Sequence, residues 1–451
     1  MLTYPSSISR ARIVQTGQLL DPKPDPVYPG RPEGPFPAGA GPSDHRPVAE
    51  DRMASFILTD LAQNTWIDSF DLTPAQLGLA NGEDWSVSKR TLRGGRRDGV
   101  DMIHINHRTL SMAIVPTRGM GLWRGSYQGH ALGWKSPVLD GPVNPAFVHL
   151  SDRGGLGWLD GFDELMVRCG LEQNGAPYEV ALPASDGSIA RHVLYPLHGR
   201  IANRPAHHVS VHVEDSPPHA ITIEGRVAES TLFHTQIEMT TRITTIPGSN
   251  GLTVRDEFVN RSDSPGSMQL LYHWNFGPPY LGEGSEFVGP IETLAPRDPR
   301  AAEGLDHWTT YGPPETGFAE QAYLARLQGE GPDGRTLAML KAPGGDKAVV
   351  LRFQKAQLPC FTLWKNTRGL SEGYVTGLEP ATNFPNSRPF EEARGRVIPL
   401  EPGASFVAET TLEILDQTHE VAAAEAEIER IQAQATATIY QRPGEPFTAE
   451  G

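Results

Sequence analysis

Apolar and polar residues alternate along much of the chain between Trp85 and Leu415. The alternation is clearest in four segments, at Ile221, Ile223, Gly225 and Val227; at Ile237, Met239, Thr241 and Ile243; at Leu252, Val254, Asp256 and Phe258; and at Phe406, Ala408, Thr410, Leu412 and Ile414. A two-residue period predicts β-strands. Because helical patterns are almost absent between these strands, we expect an all-β fold, a large antiparallel sandwich or barrel. No repeat of fixed period occurs, which argues against a propeller.

One helical pattern lies near the end of the chain. Asp416 is a candidate N-cap, and apolar residues then recur at three- and four-residue steps, at Val421, Ala424, Ile428, Ile431 and Ala435. We predict a C-terminal helix over residues 416–440 that packs on the sandwich or on a second subunit, so a homodimer is one of two arrangements left open. Residues 441–451 are rich in Pro, Gly and Glu and are expected to form a flexible tail.

The first 52 residues follow neither period and are rich in Pro, Gly and Arg. Such a segment buries too little apolar surface to offset the entropy of ordering it, so we expect residues 1–52 to be a disordered leader. Alternatively, the gene start is over-extended, because Met53 begins a stretch, MASFILTDLAQNTWIDSFDL, that reads like an ordinary start of a protein. The main β domain is then predicted over residues 53–415.

Charge and cysteine content narrow the classes of function. The chain has 451 residues and a formal net charge of −15, which argues against a nucleic-acid partner, since such a partner requires a basic patch. Two cysteines, Cys169 and Cys360, cannot form a disulfide framework or a Cys-rich zinc site and are expected to be small buried hydrophobes. The chain lacks an apolar run of about 18 residues and the order of a signal peptide, so we expect a cytoplasmic protein without a membrane partner.

One acidic residue lies where a strand is predicted to break into a loop. The segment YVTGLEPATNFPNSR, residues 374–388, begins with β-forming residues and continues with Gly, Pro and Asn. Glu379 lies at the break. A carboxylate there is well placed to act as a general base, because the strand fixes its backbone and the loop opens it to a ligand. A solvated loop glutamate is the alternative, since most Glu side chains are exposed.

Two of the fifteen histidines lie in unusual surroundings. His198 is in YPLHGRIANRP, at a turn after a strand, and His273 is in LLYHWNFGPPYLGEG, inside an apolar and aromatic strand. A buried imidazole is costly without a partner, so each ring must be hydrogen-bonded or face a pocket. A purely structural histidine fits either position equally well. Neither has a second metal-binding residue type three or four positions away, so no metal site is expected.

Arginine, acidic and tryptophan residues gather in three earlier segments, IVPTRGMGLWRG, LGWKSPV and GLGWLDGFDELMVRCGL. These residue types suit a sugar, because guanidinium and carboxylate groups bind hydroxyls and an indole covers the apolar face of a sugar ring. The candidates are Arg118, Trp134, Trp158, Asp160, Asp163 and Arg168. Asp163 and Arg168 could instead pair with each other across a turn.

The motifs at His198, His273 and Glu379 resemble, in this order, those of the galactose mutarotase-like, or aldose 1-epimerase, superfamily. There a first His precedes Gly, a second His lies in a strand followed by Gly-Glu-Gly, and a Glu opens a loop containing Pro and Asn. The chain is also similar to a branch of the DUF4432 type, whose members carry PTRGM, GWLDGFDELMVRCGL and YHWNFG. The resemblance covers about Trp85 to Leu415 and implies a β-supersandwich that acts on carbohydrate.

The resemblance implies an isomerase that interconverts the anomers of a monosaccharide by acid–base catalysis, without a cofactor. It makes His273 the general acid at the ring oxygen and Glu379 the base at the anomeric hydroxyl. His198 would hold and polarise the same end of the sugar. The candidate substrate-binding residues are Arg118, Arg168, Trp134, Asp163, Arg200, Asn275 and Asn383. Asn386 replaces an aspartate of the superfamily, so we expect recognition of the far side of the sugar to differ.

Two other functions stay open. Arg118, Arg168, Arg200 and Arg388 would suit an acidic sugar, and the same His and Glu could epimerise or β-eliminate a uronate or keto-sugar, because a fold does not fix a function. The third hypothesis is a non-catalytic carbohydrate-binding protein, against which the intact acid and base residues argue. In all three cases the expected partner is a small-molecule sugar.

Overall fold

Strands make up most of the regular structure, and helices are few. The computed structural model describes residues 53–79, 84–183 and 189–449, so the expected leader over residues 1–52 lies outside the described residues. The described residues confirm the all-β class and the presence of a C-terminal helix. Cys169 and Cys360 are buried free cysteines, as predicted.

The strands are numbered here in chain order over the described residues. They are β1 (Met53–Asp60), β2 (Thr65–Trp66), β3 (Ser69–Leu72), β4 (Trp85–Thr91), β5 (Asp101–His107), β6 (Leu110–Val115), β7 (Gly121–Tyr127), β8 (His130–Leu132), β9 (Met166–Leu171), β10 (Tyr178–Pro183), β11 (Ile189–Tyr195), β12 (His208–Glu214), β13 (Ile221–Ser230), β14 (Gln236–Thr245), β15 (Gly251–Asn260), β16 (Gly266–Phe276), β17 (Glu286–Val288), β18 (Ile291–Pro296), β19 (Gln321–Leu327), β20 (Arg335–Lys341), β21 (Ala348–Gln354), β22 (Cys360–Asn366), β23 (Val375–Ala381), β24 (Ile398–Leu400), β25 (Ser405–Leu415) and β26 (Thr438–Ile439).

Two large sheets and one hairpin contain these strands. The smaller of the large sheets has ten strands in the order β17-β20-β21-β25-β15-β14-β13-β12-β1-β2. The larger has the order β26-β18-β19-β22-β23-β16-β9-β7-β6-β5-β4-β3, with β24 paired to β16 and β8 paired to β7, and β10 pairs with β11. Strands β18 and β26 pair in parallel, whereas the other described strand pairs are antiparallel, as predicted for a large sandwich.

The main hydrophobic core combines side chains from both large sheets. Val211 and Phe258 come from the ten-stranded sheet and Leu122 and Trp274 from the larger sheet, and all four are fully or almost fully buried in one cluster. Alternation along each strand therefore buries one face of each sheet between the two sheets.

Strand β16 shows how alternation separates the two faces of the larger sheet. Leu270, Tyr272 and Trp274 belong to the core between the sheets, whereas Leu271 belongs to a second apolar cluster on the opposite, outer face. His273 alternates with the core residues and therefore lies on the outer face. Loop residues cover that face, among them Trp158, Phe162, Phe384 and Phe447.

Helices are short, with one exception. The α-helices of the described residues are α1 (Asp152–Gly155), α2 (Pro299–Ala302), α3 (Arg388–Glu392) and α4 (Thr418–Gln432), and the 3₁₀ segments are Pro74–Leu77, Gly95–Arg97, Pro145–Phe147, Gly157–Asp160, Ile201–Asn203 and Leu305–His307. No helix among the described residues has the length and apolar character needed to cross a membrane.

Helix α4 packs on the ten-stranded sheet, one of the two arrangements expected for it. Its residues Val421 and Ile428 are buried in a cluster with Leu337 and Val350 of that sheet. The prediction of residues 416–440 was too long at both ends, because the N-cap is Gln417 and the helix ends at Gln432. Beyond that end, residues 438–439 pair as strand β26 with β18 instead of continuing the helix.

The expectation of a flexible C-terminal tail is wrong for the residues up to 449. Phe447 is buried and its ring lies 5.4 Å from that of Phe384 and 5.2 Å from that of Tyr440. The carbonyl of Pro446 accepts a hydrogen bond from Arg396. Aromatic packing and hydrogen bonds thus dock a segment whose composition is otherwise typical of a loose end.

An ion pair crosses the main core. Arg168 of β9 and Asp256 of β15 are both fully buried, and the guanidinium donates two hydrogen bonds to the carboxylate. Arg168 also donates to Thr241 of β14, and the Tyr272 hydroxyl donates to Asp256. These contacts join the two sheets and satisfy groups that would otherwise be costly to bury.

We predict that Arg168→Met lowers the free energy of unfolding by about 3–5 kcal/mol, because it leaves the Asp256 carboxylate buried without its cationic partner. Urea unfolding followed by tryptophan fluorescence measures the change. Arg261→Met is the matched control, since Arg261 pairs with Glu238 at the surface, and its loss is expected to cost less than about 1 kcal/mol. Equal losses for the two variants would contradict a bridging role for Arg168.

Candidate active site

His273 and Glu379 face each other across two neighbouring strands of the larger sheet. Strands β16 and β23 pair with Trp274 opposite Leu378 and Leu271 opposite Ala381. This register sets His273 opposite Glu379 on the outer face, where the Nε2 atom of His273 lies 3.2 Å from Oε1 of Glu379. The register therefore brings together two residues that are far apart in the sequence.

The pair belongs to a row of side chains that crosses five strands. Val167 of β9 lies opposite His273, Thr362 of β22 lies opposite Glu379, and Leu324 of β19 lies opposite Thr362. All five side chains are buried. The two ionisable groups are thus held between Val167 and Thr362 on neighbouring strands, which fixes their separation.

Glu379 lies inside its strand, although the sequence predicted it at the break between strand and loop. Strand β23 continues to Ala381, and Glu379 is only 3 % exposed. Gly377 lies two residues earlier on the same face, and its lack of a side chain leaves room for Glu379 and His273. A Cβ atom there would lie 2.5 Å from Oε1 of Glu379 and 3.1 Å from Cε1 of His273, so any other residue would displace the pair.

His198 reaches the same site from a tight turn. Its φ of +57° and the φ of +70° at Gly199 lie in the left-handed region, and a Cβ atom on Gly199 would lie 2.3 Å from the carbonyl oxygens of Gly170 and Gln173. The carbonyl of His198 accepts from the Gly170 amide at the end of β9. The imidazole rings of His198 and His273 lie 5.6 Å apart and almost perpendicular.

A backbone carbonyl fixes the tautomer of His198. Its Nδ1 atom lies 2.8 Å from the carbonyl oxygen of Asn174. Because a carbonyl only accepts, Nδ1 must carry the proton, and Nε2 keeps its lone pair. The side-chain amides of Asn174 and Asn383 donate to each other over 3.0 and 2.9 Å. Asn383, a candidate substrate-binding residue, therefore anchors the segment that orients His198.

Aromatic rings enclose the two histidines. Phe162 and Trp364 lie edge-on to His273, with ring centroids 5.2 and 5.3 Å away, and Trp158 lies edge-on to His198 at 4.6 Å. These rings exclude water and make the charged forms of both imidazoles unfavourable.

Burial shifts the protonation of all three groups towards neutrality. Desolvation lowers the pKa of His198 to about 4 and holds the pKa of His273 well below its usual value, with the neighbouring His198 acting in the same direction. Desolvation also raises the pKa of Glu379 well above its usual value, assisted by the negative charge of Glu320. Burial therefore favours a neutral imidazole at His273 and a protonated carboxyl group at Glu379.

A cavity of about 540 Å³ opens over these groups, a size typical of small-molecule sites. Its lining residues are Leu156, Trp158, Leu159, Phe162, Ala176, Pro177, Leu197, His198, His273, Arg297, Asp298, Glu320, Ala322, Thr362, Trp364, Glu379, Pro385, Asn386, Ser387, Phe390, Thr448 and Ala449. No three His, Cys, Asp or Glu side chains of the described residues are grouped so that they could hold a metal ion.

Four buried polar atoms of the lining residues lack a hydrogen-bond partner among the described residues. They are the indole nitrogen of Trp158, the hydroxyl of Thr362, Nδ1 of His273 and Oε1 of Glu379. Buried polar groups are normally satisfied, so these atoms indicate a ligand with hydroxyl groups. Sequence analysis missed Thr362. The only sequence signal for Thr362 is its position in the apolar strand β22. That position points to the site only when the strand pairing is known, because Thr362 then lies opposite Glu379.

Charged residues at the cavity are already paired with one another. Arg297 donates to Asp298 over 2.8 Å and to Glu320 over 3.0 Å, and Glu320 also accepts from the indole of Trp364 over 2.7 Å. Sequence analysis missed these residues, because no motif marks them and only the fold brings them to the cavity.

Two of the predicted substrate-binding arginines do not line the cavity. Arg118 is buried against Glu164, Asn203 and the carbonyl of Val143. Arg168 is enclosed in the core with Asp256. Both guanidinium groups are held by partners within the fold, which leaves them in structural positions.

The remaining candidates also lie outside this cavity. Asp163 pairs with Arg124 and the indole of Trp123 instead of with Arg168, and burial raises its pKa to about 6. Asn275 donates to the carbonyls of Glu164 and His273. The other two residues are Arg200, which is half-buried, and Trp134, whose indole donates to the carbonyl of Glu164 and which lines a neighbouring cavity.

The chain is similar to known proteins in sequence and in fold. A family profile described as a domain of unknown function (DUF4432) matches residues 97–414. The crystal structure of a putative aldose 1-epimerase from Klebsiella pneumoniae subsp. pneumoniae MGH 78578 is similar, with 36 % sequence identity, a TM-score of 0.81, and coverage of 87 % of this chain and 99 % of that chain. No curated protein matches the sequence.

Two more distant structures are named for the same activity. A galactose mutarotase-like protein from Clostridium acetobutylicum is 14 % identical, with a TM-score of 0.47 and coverage of 73 % of this chain and 98 % of that chain. The galactose 1-epimerase from Lactobacillus acidophilus NCFM is 10 % identical, with a TM-score of 0.46 and coverage of 73 % and 99 %. At this level of similarity neither adds weight to an assignment.

We predict that His198 is neutral, with its proton on Nδ1, from about pH 5 to 8, because its pKa is lowered to about 4 and its proton is held by the Asn174 carbonyl. Long-range ¹H–¹⁵N NMR distinguishes the two ring nitrogens, and the His198→Asn variant identifies the signals. A ring that gains a second proton near pH 6.5, or that carries its proton on Nε2, would contradict the anchoring described here.

Proposed function

The chain belongs to the family described as a domain of unknown function (DUF4432), and on this basis we propose that it is an isomerase of the aldose 1-epimerase type, which interconverts the anomers of a monosaccharide. The observation that carries the proposal is the 3.2 Å contact between His273 and Glu379 in a cavity of small-molecule size. The name of the Klebsiella relative supports the same class of reaction.

Anomer interconversion needs a proton donor and a proton acceptor at one carbon. The anomeric hydroxyl loses its proton while the ring oxygen gains one, and the bond between C1 and the ring oxygen breaks. The aldehyde then rotates about the C1–C2 bond, and the ring closes with both proton transfers reversed. The two substrate oxygens are attached to the same carbon, so one site must present both a donor and an acceptor to that carbon's oxygens, and His273 and Glu379 are close enough together to do so.

The pair provides one transferable proton for this cycle. We assign proton donation to the ring oxygen to His273 and proton removal from the anomeric hydroxyl to Glu379. Because burial keeps the proton on Glu379 when no ligand is bound, it must first pass to His273 across their contact. The hydroxyl groups of a bound sugar assist this transfer, since they supply hydrogen bonds that stabilise the charged forms.

His198 has a different role in the proposal. Its Nε2 atom carries a lone pair, so it accepts a hydrogen bond from a hydroxyl group of the sugar and does not act as an acid at neutral pH. Trp158 and Thr362 supply further polar contacts, and Trp364 and Phe162 offer apolar faces to the ring.

The charges around the cavity favour a neutral sugar. Among the described residues, Arg297 is the only Arg or Lys that lines it, and Arg297 is already bonded to Asp298 and Glu320. Arg388, the fourth arginine considered for an acidic sugar, donates to Ser267, Glu392 and the carbonyl of Glu172 outside this cavity. Elimination or epimerisation of a uronate has less support, because a carboxylate substrate would meet no unpaired cation here.

We predict that Glu379→Gln lowers the exchange rate between the α and β anomers by about 10²-fold or more, because an amide cannot take the proton of the anomeric hydroxyl. Exchange NMR of the anomeric protons, over a panel of neutral aldoses, deoxy-sugars and uronates, measures the rate. Saturation-transfer spectra are expected to show that the variant still binds sugar. Glu392→Gln, a half-exposed carboxylate outside the cavity, is the matched control and is expected to keep the full rate.

The outcomes separate the competing functions. A variant with undiminished exchange would remove Glu379 from the mechanism. Binding without exchange in the parent protein would favour a carbohydrate-binding protein, and an ultraviolet-absorbing product from a uronate would favour a lyase.

The shifted pKa values also predict a pH profile. A histidine acid with an ordinary pKa of about 6.5 would lose activity as the pH rises through that value. Here the pair holds one proton over a range of pH. The lower end of that range is set by the lowered pKa of His273, and the upper end is set by the raised pKa of Glu379. We therefore expect kcat/KM, corrected for the uncatalysed rate, to show no fall centred near the ordinary histidine pKa of about 6.5. A tenfold fall centred there would contradict the shared proton.

A further inference from the structure

A second cavity lies beside the first and shares part of its wall. Its volume is about 360 Å³, and Leu159, Phe162, Glu320 and Trp364 line both cavities. The residues that line the second cavity alone are Trp134, Ser136, Pro137, Val138, Asn366, Arg368 and Glu372. The two cavities are therefore neighbours with a common wall.

The second cavity has the chemical character of a sugar subsite. Trp134 and Trp364 offer indole faces, and Pro137 and Val138 add apolar surface. Asn366, Arg368 and Glu372 stand beside them, the last two exposed. Each makes a hydrogen bond to the backbone through one atom and keeps other polar atoms for a ligand. Aromatic faces beside hydrogen-bonding groups suit a ring with apolar faces and hydroxyl edges.

Trp364 is held in place between the two cavities. It belongs to strand β22, and its indole nitrogen donates to Glu320 over 2.7 Å. Glu320 is in turn fixed by Arg297. A ligand that crosses from one cavity to the other must pass this fixed indole, and the same residue contacts both parts of such a ligand.

We propose that the second cavity is a subsite for the outer ring of a neutral reducing disaccharide whose reducing ring occupies the first cavity. The proposal rests on the function proposed above. The reaction needs a free anomeric hydroxyl at His273 and Glu379, so the reducing ring must lie in the first cavity. The glycosidic bond then leaves from another hydroxyl and carries the outer ring past Trp364.

Two neighbouring positions allow a matched pair of variants. Val138 lines the second cavity but not the first, so Val138→Trp fills the proposed subsite and leaves the catalytic groups untouched. Leu139 is 87 % exposed and lines neither cavity, so Leu139→Trp adds the same side chain outside the subsite.

The test uses maltose, lactose and melibiose beside glucose and galactose, with two NMR readouts. The first readout is exchange of the anomeric protons at the reducing end. For at least one disaccharide, kcat/KM is expected to be about fivefold higher than for the monosaccharide that forms its reducing end, because one additional aromatic contact contributes about that factor. Saturation transfer is expected at protons of both rings. In Val138→Trp we expect the higher kcat/KM for the disaccharide and the saturation of the outer ring to be lost, while the exchange rate of monosaccharides is kept. Leu139→Trp is expected to behave like the parent protein.

The two readouts keep this proposal separate from the function on which it rests. The parent protein could exchange the anomers of monosaccharides, show no higher kcat/KM for any disaccharide and show no saturation of the outer ring. This result overturns the subsite and leaves the isomerase function intact. This comparison does not require either variant to fold. The parent protein could instead show saturation of both rings but no anomer exchange of any sugar. If Val138→Trp then abolishes only the saturation of the outer ring, the subsite is supported and the isomerase function is refuted. Equal losses in the two tryptophan variants overturn the subsite.

Discussion

The candidate site depends on the register between strands β16 and β23. That register places His273 opposite Glu379 on the outer face of the larger sheet, while Trp274 and Leu378 lie opposite each other in the core between the sheets. A slip of one residue in either strand would turn the catalytic side chain into the core and a core side chain outward. The apolar alternation that stabilises the sandwich therefore also determines the geometry of the site.

Exclusion of water explains the chemistry that this geometry permits. The aromatic rings around His273 and His198 remove solvent, and desolvation makes each charged form costly. Neutral forms of His273 and Glu379 are therefore favoured, beside His198 with a lone pair in a fixed direction. Under the proposed function, protons move between His273, Glu379 and the two oxygen atoms that are attached to one anomeric carbon.

The sequence was sufficient for the strands and the terminal helix, because alternation and helical periodicity are local signals. Its motifs also selected His198, His273 and Glu379, which the fold brings to one cavity. It failed where the partner is distant in the chain. Arg168 looked like a ligand-binding residue, but its partner Asp256 comes from the opposite sheet. Glu379 looked like a loop residue because Pro380 follows it, yet Pro380 lies in the strand opposite Phe361. Phe447 docks on Phe384, which no local pattern of the tail indicates.

A crystal structure of the Glu379→Gln variant with a bound neutral aldose would test the central claim most directly. The claim is that His273 and Glu379 act together on one anomeric centre. It predicts that the ring oxygen lies within about 2.6–3.2 Å of Nε2 of His273, and that the anomeric hydroxyl lies within the same distance of the side chain at position 379. A further hydroxyl is expected at Nε2 of His198. A sugar whose anomeric carbon points away from this pair, towards Asn386 and Thr448, would contradict it.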